Sequence, residues 1–259
     1  MVIIDVELFK ALILDLDGVV TQTASLHART WKRLFDELLA QRAVQTGAAF
    51  KPFDDKADYR HFVDGKSRIA GLLSFLRARS VNLPMGAPGD DAEQMTAHGL
   101  AARKDRYFAE LLVQGGVQAF APTVGLLQEA HKRGMGLAVA SSSHHCREIL
   151  QAANLTGLFD VRVDGIDLDQ EKLRGKPAPD MFLEAARRLD VPPARGVVFE
   201  DSTAGIVAAV AGGFGLVIGV GNGTQAVALR ESGASQVVVD CTEVRLHGFR
   251  GAKKHQPGT

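Results

Sequence analysis

Two cysteines, Cys146 and Cys241, stand in a chain of 259 residues. They are too few for a disulfide framework and have no metal-ligand spacing, so both are expected to be free thiols. Excess charge is lacking as well: 30 Lys and Arg face 30 Asp and Glu, and the formal net charge is zero. Without a broad basic field, neither nucleic acid nor an anionic membrane is an expected partner, and any phosphate site has to be local. The opening Met1-Val2-Ile3-Ile4-Asp5-Val6-Glu7-Leu8 has neither the basic region nor the long apolar core of a signal peptide. Charges also interrupt every apolar run before membrane-spanning length. A cytoplasmic protein is expected.

What the chain does have is length for a large core, and short apolar runs alternating with helix-length segments. The runs Ala11–Leu16, Gly136–Ala140, Asp160–Val163, Gly196–Glu200, Gly215–Val220 and Gln236–Asp240 read as strands. Val124–Lys132, Ala178–Leu189 and Thr203–Ala211 read as helices between them. This order predicts an α/β fold, a doubly wound parallel sheet. Between the first strand and Pro122 lies a long segment of helical periodicity with no convincing strand, which reads as an inserted helical domain. In its first helix Trp31, Leu34, Phe35 and Leu38 form one apolar stripe, with His27 one turn before Trp31 on the same face. Thr46–Ala57 and Ser80–Asp91 read as loops of this insert, and Arg245–Thr259, basic and glycine-containing, as a solvated tail. The expected division is a core of residues 1–22 and 116–259 with a helical cap of residues 23–115.

The most informative stretch is Asp15-Leu16-Asp17-Gly18-Val19-Val20, two carboxylates one residue apart at the end of the first apolar run. Ligands of open α/β sheets bind beyond the carboxyl ends of such strands. Alternate residues of an extended chain point the same way, so Asp15 and Asp17 can converge, and two crowded anions in an oxygen-rich site favour Mg²⁺. One carboxylate can then attack phosphorus while the other moves a proton. The plainer alternative is a tight turn, which Asp and Gly both suit. A calcium loop begun at Asp15 is excluded, because Val19 stands where an oxygen ligand is needed and Leu26 where the closing Glu belongs.

Further stations fall at the ends of later strands or the starts of the helices that follow. Ser141-Ser142-Ser143 offers hydroxyl and backbone N–H groups for a phosphate, or an ordinary N-cap for a helix at His144–Gln151. His144 and His145 are adjacent and diverge on a helix, a poor metal pair. Cys146 is expected to be a structural thiol. Lys176, in Gly175-Lys176-Pro177-Ala178-Pro179-Asp180, opposes the dipole of the helix it precedes; it implies a nearby anion, unless it decorates the surface. Glu200 and Asp201 end an apolar strand before a small-residue helix. Asp201 is either an N-cap or, with Glu200, Asp15 and Asp17, part of an oxygen cage for one divalent metal. Gly65-Lys66-Ser67 is not a P-loop, since Arg60 stands where its first glycine belongs. Gly219-Val220-Gly221-Asn222-Gly223 fails as a dinucleotide fingerprint, with Thr224 in place of the third glycine.

These four stations, in this order, resemble the haloacid dehalogenase superfamily of phosphotransferases, and within it the β-phosphoglucomutase group. The likeness runs from about Phe9 to Val239. It includes Asp15-Leu16-Asp17-Gly18-Val19-Val20-Thr21-Gln22-Thr23-Ala24-Ser25-Leu26-His27, then Trp31, Gly65-Lys66-Ser67-Arg68 and Arg103-Lys104. The resemblance implies a Rossmann-like core with an inserted helical cap. It implies Asp15 as nucleophile, Asp17 as general acid/base, Ser141 and Lys176 as ligands of the transferring phosphoryl group, and His27 as a hinge histidine. It also implies Mg²⁺ held by Asp15, the Asp17 backbone carbonyl, Glu200 and Asp201. Thr23, Trp31, Ser142 and Ser143 are implied as substrate contacts, and Arg68 and Lys104 as ligands of the substrate's other phosphate. His144, where the mutase has a lysine, and the longer cap loops depart from the pattern. These departures bear on the sugar rather than on the phosphoryl chemistry.

The expected activity is interconversion of β-glucose 1-phosphate and glucose 6-phosphate, with a sugar bisphosphate as phosphate carrier and the chain acting as a monomer. Arg68 and Lys104 favour a mutase, because a bisphosphate held in either direction needs cations at both ends. The alternative is a phosphatase for a small phosphate ester. A catalytically silent phosphosugar-binding module is disfavoured by the intact Asp15, Asp17 and Lys176.

Overall fold

Apolar runs that are buried along their whole length need cover on both faces, and a parallel sheet with flanking helices supplies it. Every residue of β2 (Ala11–Leu14) and β5 (Gly196–Glu200) is buried in this way. The computed structural model describes residues 1–248. The chain divides into two compact units, one made of Met1–Thr21 and the chain from Gln118 on, the other of Gln22–Val117.

In the first unit, β1 (Val2–Asp5) and β2 are followed, after the insert, by α4 (Ala121–Lys132), β3 (Gly136–Ala140), α5 (Cys146–Ala152), β4 (Val161–Val163), α6 (Gly165–Gln170) and α7 (Asp180–Arg188). Then come β5, α8 (Thr203–Ala211), β6 (Leu216–Val220), α9 (Gly223–Glu231), β7 (Gln236–Val238) and β8 (Val244–His247). Six strands form one parallel sheet in the order β4-β3-β2-β5-β6-β7. The chain winds outward from β2 through β3 to β4, then returns to β5 on the other side. This is a doubly wound sheet whose direction switches between β2 and β5, where a crevice opens. The register sets Leu14 beside both Val139 and Phe199. Ile13, Ala138, Val198 and Val217 of the sheet pack with Met181 and Phe182 of α7 and Ile206 of α8 in one core.

The second unit holds α1 (Ala24–Thr46), a π-helical turn Tyr59–Val63, α2 (Arg68–Ala78) and α3 (Ala97–Gly115), with no strand among its described residues. The stripe Trp31, Leu34, Phe35 and Leu38 is buried in its core against Phe53, Phe75 and Leu100. Lys66 ties the turn to α2, donating to the Phe62 carbonyl at 3.0 Å and to Ser74 Oγ at 3.2 Å.

The structure shifts several boundaries. The strand expected over Ala11–Leu16 ends at Leu14, although Asp15 N–H still donates to the Phe199 carbonyl at 2.9 Å and adds one rung. Those expected to start at Asp160 and Gly215 start at Val161 and Leu216, and the one expected to reach Asp240 stops at Val238. The helix expected from Ala178 to Leu189 spans Asp180–Arg188, because Ala178 precedes Pro179 and the residue before a proline is disfavoured in the helical conformation. The helix expected from Val124 starts at Ala121 with Pro in its first turn, where a missing N–H costs nothing. The expected solvated tail needs correction at its start. Val244–His247 is a strand in parallel register with Val2–Asp5, burying Val244 and Leu246 against Val2 and Ile4. Residues 249–259 of that tail lie outside the described residues.

Candidate active site

The crevice at the β2–β5 switch gathers the acids. Asp15, one residue past β2, is buried, and its Oδ2 accepts the N–H of Asp17 at 2.8 Å. The chain turns there on Gly18, whose φ of +93° favours glycine. Asp17 Oδ2 accepts from Ser141 Oγ at 3.2 Å, so the serine after β3 meets the second acid of β2. Ser141 Oγ also accepts the N–H of Ser143 at 3.1 Å. It is not an N-cap: the helix expected at His144–Gln151 spans Cys146–Ala152, with His145 at its cap position and no side-chain cap bond. Ser142 Oγ donates to Met181 Sδ at 3.7 Å, and Ser143 Oγ accepts the His145 N–H at 3.2 Å. His144 Nε2 lies 3.2 Å from Asp169 Oδ2.

Lys176 is the pivot. It is only 2% exposed, which removes the surface reading, and it lies before α7 rather than in its first turn. Its ammonium bonds Asp15 Oδ1 and, at 2.7 Å, Glu200 Oε2. Burial alone would lower the Lys176 pKa, but the Asp15 and Glu200 carboxylates outweigh it and hold the ammonium above its ordinary value. Asp15 is pushed well above the usual carboxylate range, first by burial and then by the charges of Glu200 and Asp17, against the pull of Lys176. A single ammonium thus faces the two carboxylates of Asp15 and Glu200, with the charge of Asp17 close by.

Glu200 is fixed on its other side, where Oε1 accepts from Ser202 N–H at 3.0 Å and Ser202 Oγ at 2.7 Å. The N-cap of α8 is Ser202, not Asp201. A Cβ on Gly205 would fall 2.0 Å from the Glu200 carboxyl, and one on Gly18 would fall 1.9 Å from Asp201 Oδ2. Both acids therefore lie against bare glycine backbone. Oxygens of Asp15, Glu200 and Asp201 come within 4.8 Å of one another, an arrangement of hard donors that fits a divalent cation. Cys146 is fully buried, and burial, then Asp164 and Asp17, push its thiol well above its ordinary value, as a structural cysteine requires. Cys241 is also a free, buried thiol.

In the helical unit, Thr23, His27, Trp31 and Lys104 are all buried. Lys104 Nζ lies 3.0 Å from His27 Nδ1, 5.5 Å from the Trp31 ring centroid and 4.8 Å from that of Phe108. Since an ammonium only donates, His27 Nδ1 is the acceptor and its Nε2 carries the proton. Thr23 accepts the His27 N–H through its carbonyl at 3.0 Å. Arg68 begins α2 and pairs with Asp105, the neighbour of Lys104. Sequence reasoning missed Asp105, Ser202, Gly205 and Gln225, whose Nε2 donates to the Asp201 carbonyl at 2.7 Å. Of these only Gly205 carried a signal, as a poor helix former in a helix interior, which often marks a close approach.

The profile of the haloacid dehalogenase-like hydrolases matches residues 9–213 of the chain. The chain belongs to that family. It is 44% identical over 241 residues to the β-phosphoglucomutase of Mycobacterium bovis, covering 92% of each. It is 29% identical to the phosphorylated carbohydrates phosphatase of Thermotoga maritima, over 88% of this chain and 94% of that one. The crystal structure of a CbbY mutant from Rhodobacter sphaeroides in complex with xylulose 1,5-bisphosphate superposes with a TM-score of 0.68 at 25% identity, covering 92% and 97% of the two chains. Within the haloacid dehalogenase-like family the chain falls in the β-phosphoglucomutase group, and it is an enzyme of the phosphotransferase or phosphatase kind. No helix among the described residues is long and apolar enough to cross a membrane.

Proposed function

We propose that the protein is a Mg²⁺-dependent phosphotransferase that interconverts β-glucose 1-phosphate and glucose 6-phosphate through a phosphoaspartate on Asp15. The observation that carries this reading is the buried Asp15–Lys176–Glu200 cluster at the sheet's switch point, one ammonium facing two carboxylates and flanked by Asp201. Asp15, Glu200, Asp201 and the Asp17 carbonyl are the residues to hold Mg²⁺, which when bound neutralises charge on the transferring phosphoryl group. A carboxylate oxygen of Asp15 attacks one phosphorus of the sugar bisphosphate, the bond from that phosphorus to its sugar oxygen breaks, and a glucose monophosphate is left. Asp17 gives that oxygen its proton. In the second half, the free hydroxyl of a glucose monophosphate attacks the phosphoryl group, its proton passes to Asp17, the bond to Asp15 breaks and the bisphosphate is re-formed. Lys176 and Ser141 hold phosphoryl oxygens through both halves.

The helical unit serves as the cap. Ser142, Ser143, Thr23 and Trp31 contact the substrate, and Arg68 and Lys104 supply positive charge for the phosphate that does not transfer. Of these two cations Arg68 has the more exposed side chain, at 21%, whereas Lys104 is buried on His27. His27 then acts through Lys104, as a hinge group. The second reading is hydrolysis of a sugar phosphate, water taking the place of the second hydroxyl; the Thermotoga maritima relative supports it. The test supplies β-glucose 1-phosphate, Mg²⁺ and a trace of glucose 1,6-bisphosphate, and follows glucose 6-phosphate and free phosphate together. Glucose 6-phosphate in excess of phosphate is expected. Phosphate alone overturns the mutase in favour of the phosphatase, and no product from this or other phosphosugars overturns both.

A further inference from the structure

Gln225 has no part in the chemistry above, and the glycine-rich loop before it fits no nucleotide motif. It stands in the first turn of α9, yet its side-chain amide crosses to the acidic loop after β5 and donates to the Asp201 carbonyl at 2.7 Å. Glycine governs both ends of this contact. A Cβ on Gly221 would lie 2.9 Å from Gln225 Cδ, so the amide is folded against bare backbone on its way to the loop. At the other end the Asp201 carboxylate rests on Gly18, at the turn between the two acids that follow β2. Asp201 is thus gripped by its carbonyl from α9 and seated by its carboxylate on the nucleophile's own turn.

We infer that Gln225 is a positioning residue for the divalent-cation site: it fixes the peptide after Asp201 and thereby aims the Asp201 carboxylate. The inference rests on the metal reading under Proposed function. The rotamers open to a side chain depend on the φ and ψ of its own residue, so a rotated 201–202 peptide, which changes ψ of Asp201, would alter the rotamers that keep the carboxylate on Gly18. Glu200 has Lys176 and Ser202 to hold it, on either side. Gln225 does the corresponding work for Asp201, through the main chain. The Gly219–Gly223 segment gains a purpose as well, since Gly221 leaves room for the amide to lie back.

Partners beyond the ligand atoms of a metal site tune affinity by about 10–100-fold. Gln225 touches the carbonyl rather than the ligand oxygen, so the low end, about tenfold, is expected. The experiment is a calorimetric titration of the full chain with Mg²⁺ in the absence of substrate, alongside melting of the metal-free protein. The parent is expected to bind, and Gln225→Ala to bind about tenfold more weakly with its metal-free melting little changed. Gln225→Glu keeps the shape but faces the Asp201 carbonyl with an acceptor, so it should weaken binding at least as much; it also carries the test should the alanine variant fail to fold. Gly221→Ala keeps the amide but displaces it, and should shift affinity in the same direction. Parental affinity in folded Gln225 variants overturns the inference, as does weakening that merely tracks loss of fold. A parent that binds no Mg²⁺ overturns the metal reading itself, and this inference with it.

Discussion

Each unit of the molecule buries a lysine, and the two do it by different means. Lys176 sits between the carboxylates of Asp15 and Glu200. Lys104, 4% exposed, lies against a ring nitrogen of His27 and the faces of Trp31 and Phe108. In the sheet unit a formal charge answers a formal charge, and removing one partner strands the others in a site with little water. In the helical unit a lone pair and aromatic quadrupoles contribute to the holding, contacts each of about 0.5–2 kcal/mol. The sheet unit therefore commits its lysine to charged partners, and the helical unit holds its lysine with less commitment.

Changes on the sheet side should reach every substrate. Asp15→Asn replaces a nucleophile with an amide, and turnover of both a phosphosugar and a simple ester such as acetyl phosphate should fall by several orders of magnitude while the circular dichroism spectrum is kept. Equal turnover in parent and variant would end the phosphoaspartate reading. The next effect sets the two lysines against each other in urea unfolding. Lys176→Met leaves Asp15 and Glu200 buried without their cation and should cost about 3–5 kcal/mol near neutral pH. Lys104→Met keeps the apolar stem among the rings but leaves His27 Nδ1 without its donor, and should cost about 1–2 kcal/mol. Similar losses in the two would erase the comparison.

Changes on the helical side should discriminate between substrates. If Arg68 holds the second phosphate as proposed, Arg68→Ala removes a contact of about 1.5–3 kcal/mol for each hydrogen bond. With a fork of two such bonds, kcat/KM for β-glucose 1-phosphate should drop by about 100-fold. Acetyl phosphate has no second phosphate, so its rate should hold. Equal losses on both substrates would assign Arg68 to the fold rather than to the ligand.

The smallest effect comes from a charge cluster away from the crevice. Glu184 accepts from Arg187 and Arg188 at 2.6–2.7 Å, and Arg187 first, then Arg188, bring its carboxyl from the usual 4.5 down to about 2. A folded-state pKa below the unfolded one gives stability that is whole above about 4.5 and is lost as pH falls toward 2. The ceiling is about 3 kcal/mol, and the exposure of Arg187 reduces it to about 1–2 kcal/mol. Urea midpoints at pH 3 and pH 6 should converge for Glu184→Gln relative to the parent. An unchanged pH dependence would assign the acid sensitivity elsewhere.

Legibility followed burial on both faces. β3 and β5 could be bounded from their residues because continuous apolar runs flanked by glycine have few other uses. β1 and β8 could not, since a four-residue alternation such as Val244-Arg245-Leu246-His247 looks basic until its partner is known. The same divide runs through the site. Asp15, Asp17, Lys176, Glu200 and Asp201 announce themselves as charges in apolar surroundings, where they have to be compensated. Which partner compensates which is a matter of register between strands far apart in sequence. Thus Ser141 with Asp17, and His27 with Lys104, became visible only in three dimensions. Gln225 acts through a main-chain carbonyl, an acceptor every residue has, and so leaves no mark in the sequence.

The helical unit leaves and rejoins the sheet unit at paired backbone: Thr21 bridges Ala119, and Phe120 N–H donates to the Val20 carbonyl at 2.9 Å. For a nascent chain this pairing is a ring closure over the entire insert, and closing a flexible loop of such length costs about 4 kcal/mol in entropy. His27 stacked on Phe108 changes that cost, because a helical unit that has already condensed carries both of its ends within a few turns of each other. Helices condense through local contacts ahead of distant strand pairing. An insert that condenses first would act as a molecular staple, shortening the loop that has to close when β2 pairs with β3.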